Sequence, residues 1–121
     1  MPRALPVSLQ STIAGDPEQS GFAAAAEVGR VTVRGHLTAG SRGWALRAHA
    51  TRRRSIINVH IIAVEIESSR HPDLEHHRYE ATVQVTRPGS YAVRVTHDFL
   101  MRGGVGLSQP RPVYEKDLTV P

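Results

Sequence analysis

Apolar and polar residues alternate along most of this chain, with the period of two that is typical of a half-buried β-strand. Turn-forming residues separate the alternating segments, and none of these segments has the period of an amphipathic helix. Seven strands are predicted, over residues 6–13, 30–38, 44–51, 55–67, 79–85, 91–99 and 113–120. Because a parallel sheet needs crossover helices, this pattern favours an all-β, antiparallel two-sheet sandwich.

A length of 121 residues is typical of a single domain. The sequence contains no cysteine, which excludes disulfides and thiolate metal centres. We expect the sandwich body over 29–121 and an N-terminal arm over 1–28. A short helix is predicted in that arm over Pro17–Glu27, because Asp16 can cap it and Gly29 can end it. An irregular arm is the alternative, since an eleven-residue helix is marginal alone.

A Pro-Gly turn followed by a tyrosine stands at Arg87-Pro88-Gly89-Ser90-Tyr91, before an alternating strand. This segment resembles the E-to-F corner of immunoglobulin-like and fibronectin type III-like sandwiches. The resemblance implies that the Tyr91 hydroxyl bonds to a backbone carbonyl upstream, where the crossover leaves carbonyls without ladder partners. It implies an architecture and no particular function, because this architecture carries many functions.

The segment from Ser55 to Glu67 is apolar on both faces, which departs from the pattern of a half-buried strand. Its two faces carry Ile57, Val59, Ile61 and Ala63 on one side, and Ile56, Asn58, His60, Ile62 and Val64 on the other. Either the second face is covered within the chain by Phe22 and the alanines 23–26, or a bulge swaps the two faces. The alternative is a docking surface for a second copy or a larger partner. We take it as the candidate partner-binding surface.

Charge is segregated along the chain. Residues 28–64 carry seven arginines and no carboxylate, whereas residues 65–80 carry five carboxylates and two arginines. The segments are therefore +7 and −3, which favours oriented contact with a charged partner. Within the basic segment, Arg52, Arg53 and Arg54 are predicted to project from a hairpin tip, backed by Arg34 and Arg47. Such a cluster can bind phosphate, anionic headgroups or an acidic protein surface.

Other chemistries have weaker signals. Nucleic acid is not the expected partner, because few aromatic residues remain for base stacking. The histidine-rich loop is the alternative site, where a transition metal could be held by His71, Asp73, His76 and His77. No catalytic motif is present, so no enzyme activity and no cofactor are expected.

These observations predict a non-catalytic interaction or structural subunit. It docks on a larger protein assembly or self-associates, through Ile56–Val64 and the three hairpin arginines. The sequence has no membrane-spanning run and no signal-peptide pattern, so the cytoplasm is the default location. Peripheral membrane association is expected only through a partner or anionic headgroups.

Overall fold

The computed structural model describes residues 2–14, 21–66, 74–101 and 110–121. Within these ranges the chain forms nine β-strands and no helix. The strands are β1 (Arg3–Leu5), β2 (Val7–Ala14), β3 (Ala23–Glu27), β4 (Arg30–Ala39), β5 (Trp44–Arg53), β6 (Ile56–Glu65), β7 (Glu75–Gln84), β8 (Gly89–Leu100) and β9 (Arg111–Val120).

The strands form two sheets that pack face to face. The five-stranded sheet has the order β1-β5-β6-β8-β9, and the four-stranded sheet has the order β2-β7-β4-β3. The predicted all-β, two-sheet fold is therefore confirmed. Seven strands are expected, whereas the described residues form nine. The arrangement is not wholly antiparallel, because β6 and β8 pair in parallel.

The first of the two additional strands arises at Pro6. A proline cannot donate a ladder hydrogen bond, so the chain leaves the five-stranded sheet after Leu5 and enters the four-stranded sheet at Val7. The Pro6 carbonyl accepts a hydrogen bond from the Gln84 backbone N–H at 2.9 Å, which ties this crossing point to the end of β7.

The second additional strand replaces part of the predicted helix over Pro17–Glu27. Residues 15–20 lie outside the described residues, but Ala23–Glu27 form β3 and pair with residues 30–34 of β4. Alanine favours helices, yet here an edge strand satisfies the backbone of β4 and buries Ala24 in the core. The ring of Phe22 stacks on that of Tyr114 of β9, with ring centroids 5.6 Å apart, where the edges of the two sheets meet.

The core lies between the sheets and is built mainly from alternate residues of β4, β6, β7 and β8, while β5 contributes Trp44 and Ala50 and β9 contributes Val120 at its end. Eight β-branched side chains in it have no exposed surface: Val31, Val33, Ile57, Val59, Ile61, Val83, Val93 and Val95. β-branched residues suit a pleated surface, and burying each such side chain contributes about 2 kcal/mol.

The turn before β8 contains the hydrogen bond that the resemblance implies for Tyr91. The Tyr91 hydroxyl donates to the Arg87 carbonyl at 2.6 Å, while its ring is buried beside the core. Gly89, the first residue of β8, has a φ of 151°, a conformation that other residues rarely adopt. The backbone of the segment between β7 and β8 is thereby held in one position.

Gly35 leaves room for a buried aromatic ring. A methyl group at this position would lie 2.5 Å from the Tyr79 hydroxyl oxygen and 2.7 Å from Cε1 of Phe22. Since Tyr79 is buried and hydrogen-bonded to His97, its ring has little freedom to move away. Only glycine fits here without displacing an aromatic side chain.

We therefore expect Gly35→Ala to lower the free energy of unfolding by about 2 kcal/mol through overpacking. Urea denaturation measures the difference. Gly40→Ala is the matched control, because a methyl group there has no neighbour within 4 Å. Equal stability of the two variants would show that the Tyr79 ring can shift freely.

Candidate functional site

The predicted docking residues lie on the outer face of the five-stranded sheet. Ile56, Asn58, His60, Ile62 and Val64 alternate along β6 with the core residues, and each is half-buried. Because β6 is the central strand, these side chains run along the middle of the face. Phe22 and the alanines proposed to cover them belong to the flank and edge of the opposite sheet, so that covering does not occur.

Strand register arranges the outer face into rows. Val64 lies between Ala45 of β5 and Leu100 of β8, which makes one row wholly apolar. Ile66 continues the β6 stripe beyond this row and is 56% exposed. The next row places Ile62 between Arg47 and Asp98. The apolar part of the face therefore lies at one end and is flanked by opposite charges.

Two histidines occupy the row beside Ile62. The rings of His49 and His60 have centroids 6.2 Å apart, and Nδ1 of His60 shares a 2.7 Å hydrogen bond with Oγ1 of Thr96. Burial lowers the pKa of His60, and the neighbouring His49 lowers it further, against an opposing contribution from Asp98. The lowered pKa favours the neutral form of His60 at pH 7.

The charges of the outer face are divided between its two sides. Arg47 and Arg53 project from β5, while Asp98, Glu115 and Asp117 stand on β8 and β9. Arg94 lies among the carboxylates and bonds to Glu115 at 3.2 Å. The charge segregation seen along the sequence thus becomes, in part, a basic and an acidic side of one surface.

The three hairpin arginines do not form one cluster. Arg52 and Arg53 belong to β5, so their side chains alternate, and only Arg54 lies in the turn, with a φ of 56°. Arg53 is on the outer face, whereas Arg52 shares the inner side of the sheet with the directly opposed Arg3. The prediction of a single projecting tip is wrong because the strand extends two residues further than expected.

The two arginines expected to back that tip also separate. Arg34 is exposed on the four-stranded sheet and bonds to Glu80 at 3.0 Å, while Arg47 belongs to the five-stranded sheet. They lie on opposite sides of the molecule.

Only part of the alternative metal site lies in the described chain. His71 and Asp73 fall outside it, and His76 and His77 are neighbours on β7 that point to opposite faces. Nδ1 of His76 bonds to Thr38 at 2.9 Å, and Nε2 of His77 donates to Glu75 at 2.7 Å. Among the described residues, no three potential ligands converge as a metal site.

Sequence reasoning missed a line of polar side chains in the core. Glu75, His77 and Tyr79 alternate on the inner face of β7, and His97 of β8 lies opposite them. Glu75 and His77 lie between the predicted strands 55–67 and 79–85, yet they follow the same alternation as Tyr79, Ala81 and Val83. Extending that alternation by two steps toward the N-terminus was the available signal.

These polar groups satisfy one another. The Glu75 carboxylate accepts hydrogen bonds from His77 and from the backbone N–H groups of Gly43 and Trp44, both at 3.2 Å. The Tyr79 hydroxyl and Nε2 of His97 share a bond of 2.7 Å. No buried side-chain polar atom lacks a partner in the described part of the chain, so these groups act as structural links.

Beside His97 a cavity of about 370 Å³ opens between the sheets. Phe22, Leu37, Phe99 and Val113 form its apolar walls, and Arg111 stands among the lining residues.

No family model matches this sequence, and no curated protein or solved structure matches it either. None of the described residues belongs to a helix long and apolar enough to cross a membrane.

Proposed function

We propose that this protein is a non-catalytic, immunoglobulin-like structural module that associates with a second copy of itself through the outer face of its five-stranded sheet. The observation that carries the proposal is the row Arg47–Ile62–Asp98, in which opposite charges stand symmetrically about an apolar centre.

The symmetric placement of the charges about Ile62 favours a second copy of this chain as the partner. When two sheets pack face to face about a twofold axis parallel to β6, each residue on β5 faces the partner's β8 at the same level. Arg47 then meets Asp98 of the second copy, and the same contact repeats on the other side of the axis. Ile62 meets its own equivalent at the centre.

The neighbouring rows fit the same axis. Ala45 faces Leu100 of the second copy, so the apolar row packs on itself. Arg53 comes beside Asp117, because Asp117 shares its row on β9. No two like charges are opposed among these rows, and such complementarity selects register and partner.

The size of the face supports a dimer. Four strands spaced about 4.8 Å apart, each about ten residues long at roughly 3.3 Å per residue, present a surface of about 20 by 33 Å. With its side-chain relief, this approaches the roughly 800 Å² per partner that is typical of a stable interface.

Sedimentation equilibrium of Ile62→Asp tests this proposal. We expect the native protein to be a dimer and the variant a folded monomer, because two carboxylates would meet at the centre of the interface. Thr82→Asp, at a half-buried outward position of the four-stranded sheet, is the matched control and should remain dimeric.

Exchanging the charges of Arg47 and Asp98 tests the proposed twofold axis. Arg47→Asp and Asp98→Arg should each weaken the dimer, and the double variant should restore it, since both symmetry-related contacts are then re-formed. A native protein that is monomeric through the millimolar range contradicts self-association. A stoichiometric complex with a different chain that is lost in Ile62→Asp would assign the face to that chain instead.

A further inference from the structure

At one end of the sandwich, away from the outer face, three arginines from separate segments meet in one cavity. Arg3 comes from β1, Arg52 from β5 and Arg87 from the segment between β7 and β8. The cavity measures about 260 Å³, and Gln84 and Thr86 also line it. No aspartate or glutamate is among its described lining residues.

The charge of this cavity is uncompensated. Arg3 and Arg52 are directly opposed partners of adjacent strands, an arrangement that is destabilising for like charges. None of the ion pairs found among the described residues involves Arg3, Arg52 or Arg87. Three guanidinium groups therefore line one cavity, and no carboxylate among its lining residues neutralises them. An external anion would neutralise this charge.

Hydrogen bonds preorganise the backbone around the cavity before any ligand binds. The Gln84 N–H donates to Pro6, and the Val85 N–H donates to Gly29 at 3.0 Å. The Arg87 carbonyl accepts the Tyr91 hydroxyl at 2.6 Å, so the tyrosine at this corner also positions an arginine of the cavity. Such prior positioning lowers the entropic cost of binding.

We infer that this cavity binds a phosphoryl group. Its three guanidinium forks can bond a phosphate dianion from several sides, and Thr86 and Gln84 add a hydroxyl and an amide. The cavity is large enough for a phosphoryl group, because it has room for several water molecules. The group is supplied either by a small soluble phosphate compound or by a phosphomonoester lipid headgroup.

Calorimetric titration with inorganic phosphate, at constant ionic strength, tests the first source. Co-sedimentation with phosphatidylcholine vesicles, with and without phosphatidic acid, tests the second. We expect saturable one-to-one binding in the titration, or binding only to the vesicles that contain phosphatidic acid. In whichever assay binds, Arg52→Gln and Arg87→Gln should each weaken affinity by about tenfold or more.

Arg53→Gln is the matched control. It removes the same charge from the residue next to Arg52, but on the opposite side of the sheet, and should change affinity less than about twofold. In the absence of phosphate, Arg52→Gln should raise the melting temperature, because it relieves the repulsion with Arg3. This readout also establishes that the variant is folded.

Two results would overturn the inference. One is the absence of saturable binding in both assays. The other is an equal loss of affinity in Arg52→Gln and Arg53→Gln, which would mean that the basic end attracts anions without a defined site.

Discussion

Glu75→Ala is expected to lower the free energy of unfolding by about 4 kcal/mol, the largest effect of any single substitution considered for this protein. The side chain is buried, and its carboxylate accepts three hydrogen bonds, from His77, Gly43 and Trp44. Truncation leaves these donors without a partner and opens a cavity at the end of the core.

Denaturant unfolding of Glu75→Ala, Glu75→Gln and Glu27→Ala measures this effect. Glutamine keeps one acceptor oxygen, so its loss should be smaller than that of alanine. Glu27 is the exposed control, since its ion pair with Arg30 is solvated and should contribute less than about 1 kcal/mol. A loss in Glu75→Ala no larger than that in Glu27→Ala would contradict a structural role for the buried carboxylate.

The Glu75 carboxylate also makes the free energy of unfolding depend on pH in the acidic range. Burial by itself raises the pKa of Glu75, but the hydrogen bonds from Gly43, Trp44 and His77 outweigh it, so the pKa lies below its ordinary value of 4.5. The carboxylate therefore stabilises the fold above pH 4.5, and this contribution is lost as the pH falls through the lowered value.

A second large effect is expected from His97 between pH 6.5 and about 4. Burial, and to a smaller extent the nearby His36, lower the pKa of His97 from 6.5 to about 4. The groups around the ring are the Tyr79 hydroxyl, His36 of β4 and Arg111 of β9, and none of them offers a negative charge. The folded protein therefore keeps this imidazole neutral, and Nε2 can accept a hydrogen bond from the Tyr79 hydroxyl.

The direction follows from proton binding. Between these two pH values the unfolded state binds a proton that the folded state does not, so the free energy of unfolding falls as the pH falls. Over the 2.5 pH units separating the two pKa values, the loss attributable to His97 is about 3 kcal/mol.

Urea denaturation at a series of pH values measures this dependence. His97→Gln retains an acceptor for Tyr79 without titrating, so its stability should vary much less with pH. His60→Gln should remove a smaller part, because the pKa of His60 is also lowered but its side chain is only half-buried. Identical pH profiles for His97→Gln and the native protein would show that His97 takes up its proton without opposing the fold.

The two proposed sites lie on different surfaces and separate the roles of the arginines. Arg47 and Arg53 belong to the dimer face, whereas Arg3, Arg52 and Arg87 belong to the cavity at the end of the sandwich. Association through the outer face leaves that cavity accessible from the end. Loss of the dimer in Ile62→Asp should therefore leave phosphate binding unchanged, which allows the two proposals to fail independently.

Several features of the fold could be predicted from local sequence. The period-two alternation of 31–37 and 79–85 marks core and surface positions, since only that pattern buries one side of a strand. The two-sided apolar character of 56–64 was also visible in the sequence, as was the Tyr91 corner. These signals are local, because each depends only on residues adjacent in the chain.

Other features were beyond such reasoning. The alanines 23–26 form an edge strand because β4 offers hydrogen-bonding partners, and local propensity for a helix does not register that neighbour. The pairs Glu75–His77 and Tyr79–His97 are buried only because two sheets close over them. Alternation along β7 indicates the inner face for Glu75 and His77, but the sequence cannot identify hydrogen-bonding partners on distant strands, such as His97 for Tyr79.

The sequence thus determined seven of the nine strands of the described residues, the faces of most of them and the unusual apolar stripe of β6, since these follow from side-chain periodicity. Tertiary structure alone decided which strands became neighbours. It set Arg47 and Asp98 on either side of Ile62, and it gathered Arg3, Arg52 and Arg87 around one cavity. Both arrangements depend on pairing between segments far apart in the chain, and that pairing is chosen by the packing of the whole core.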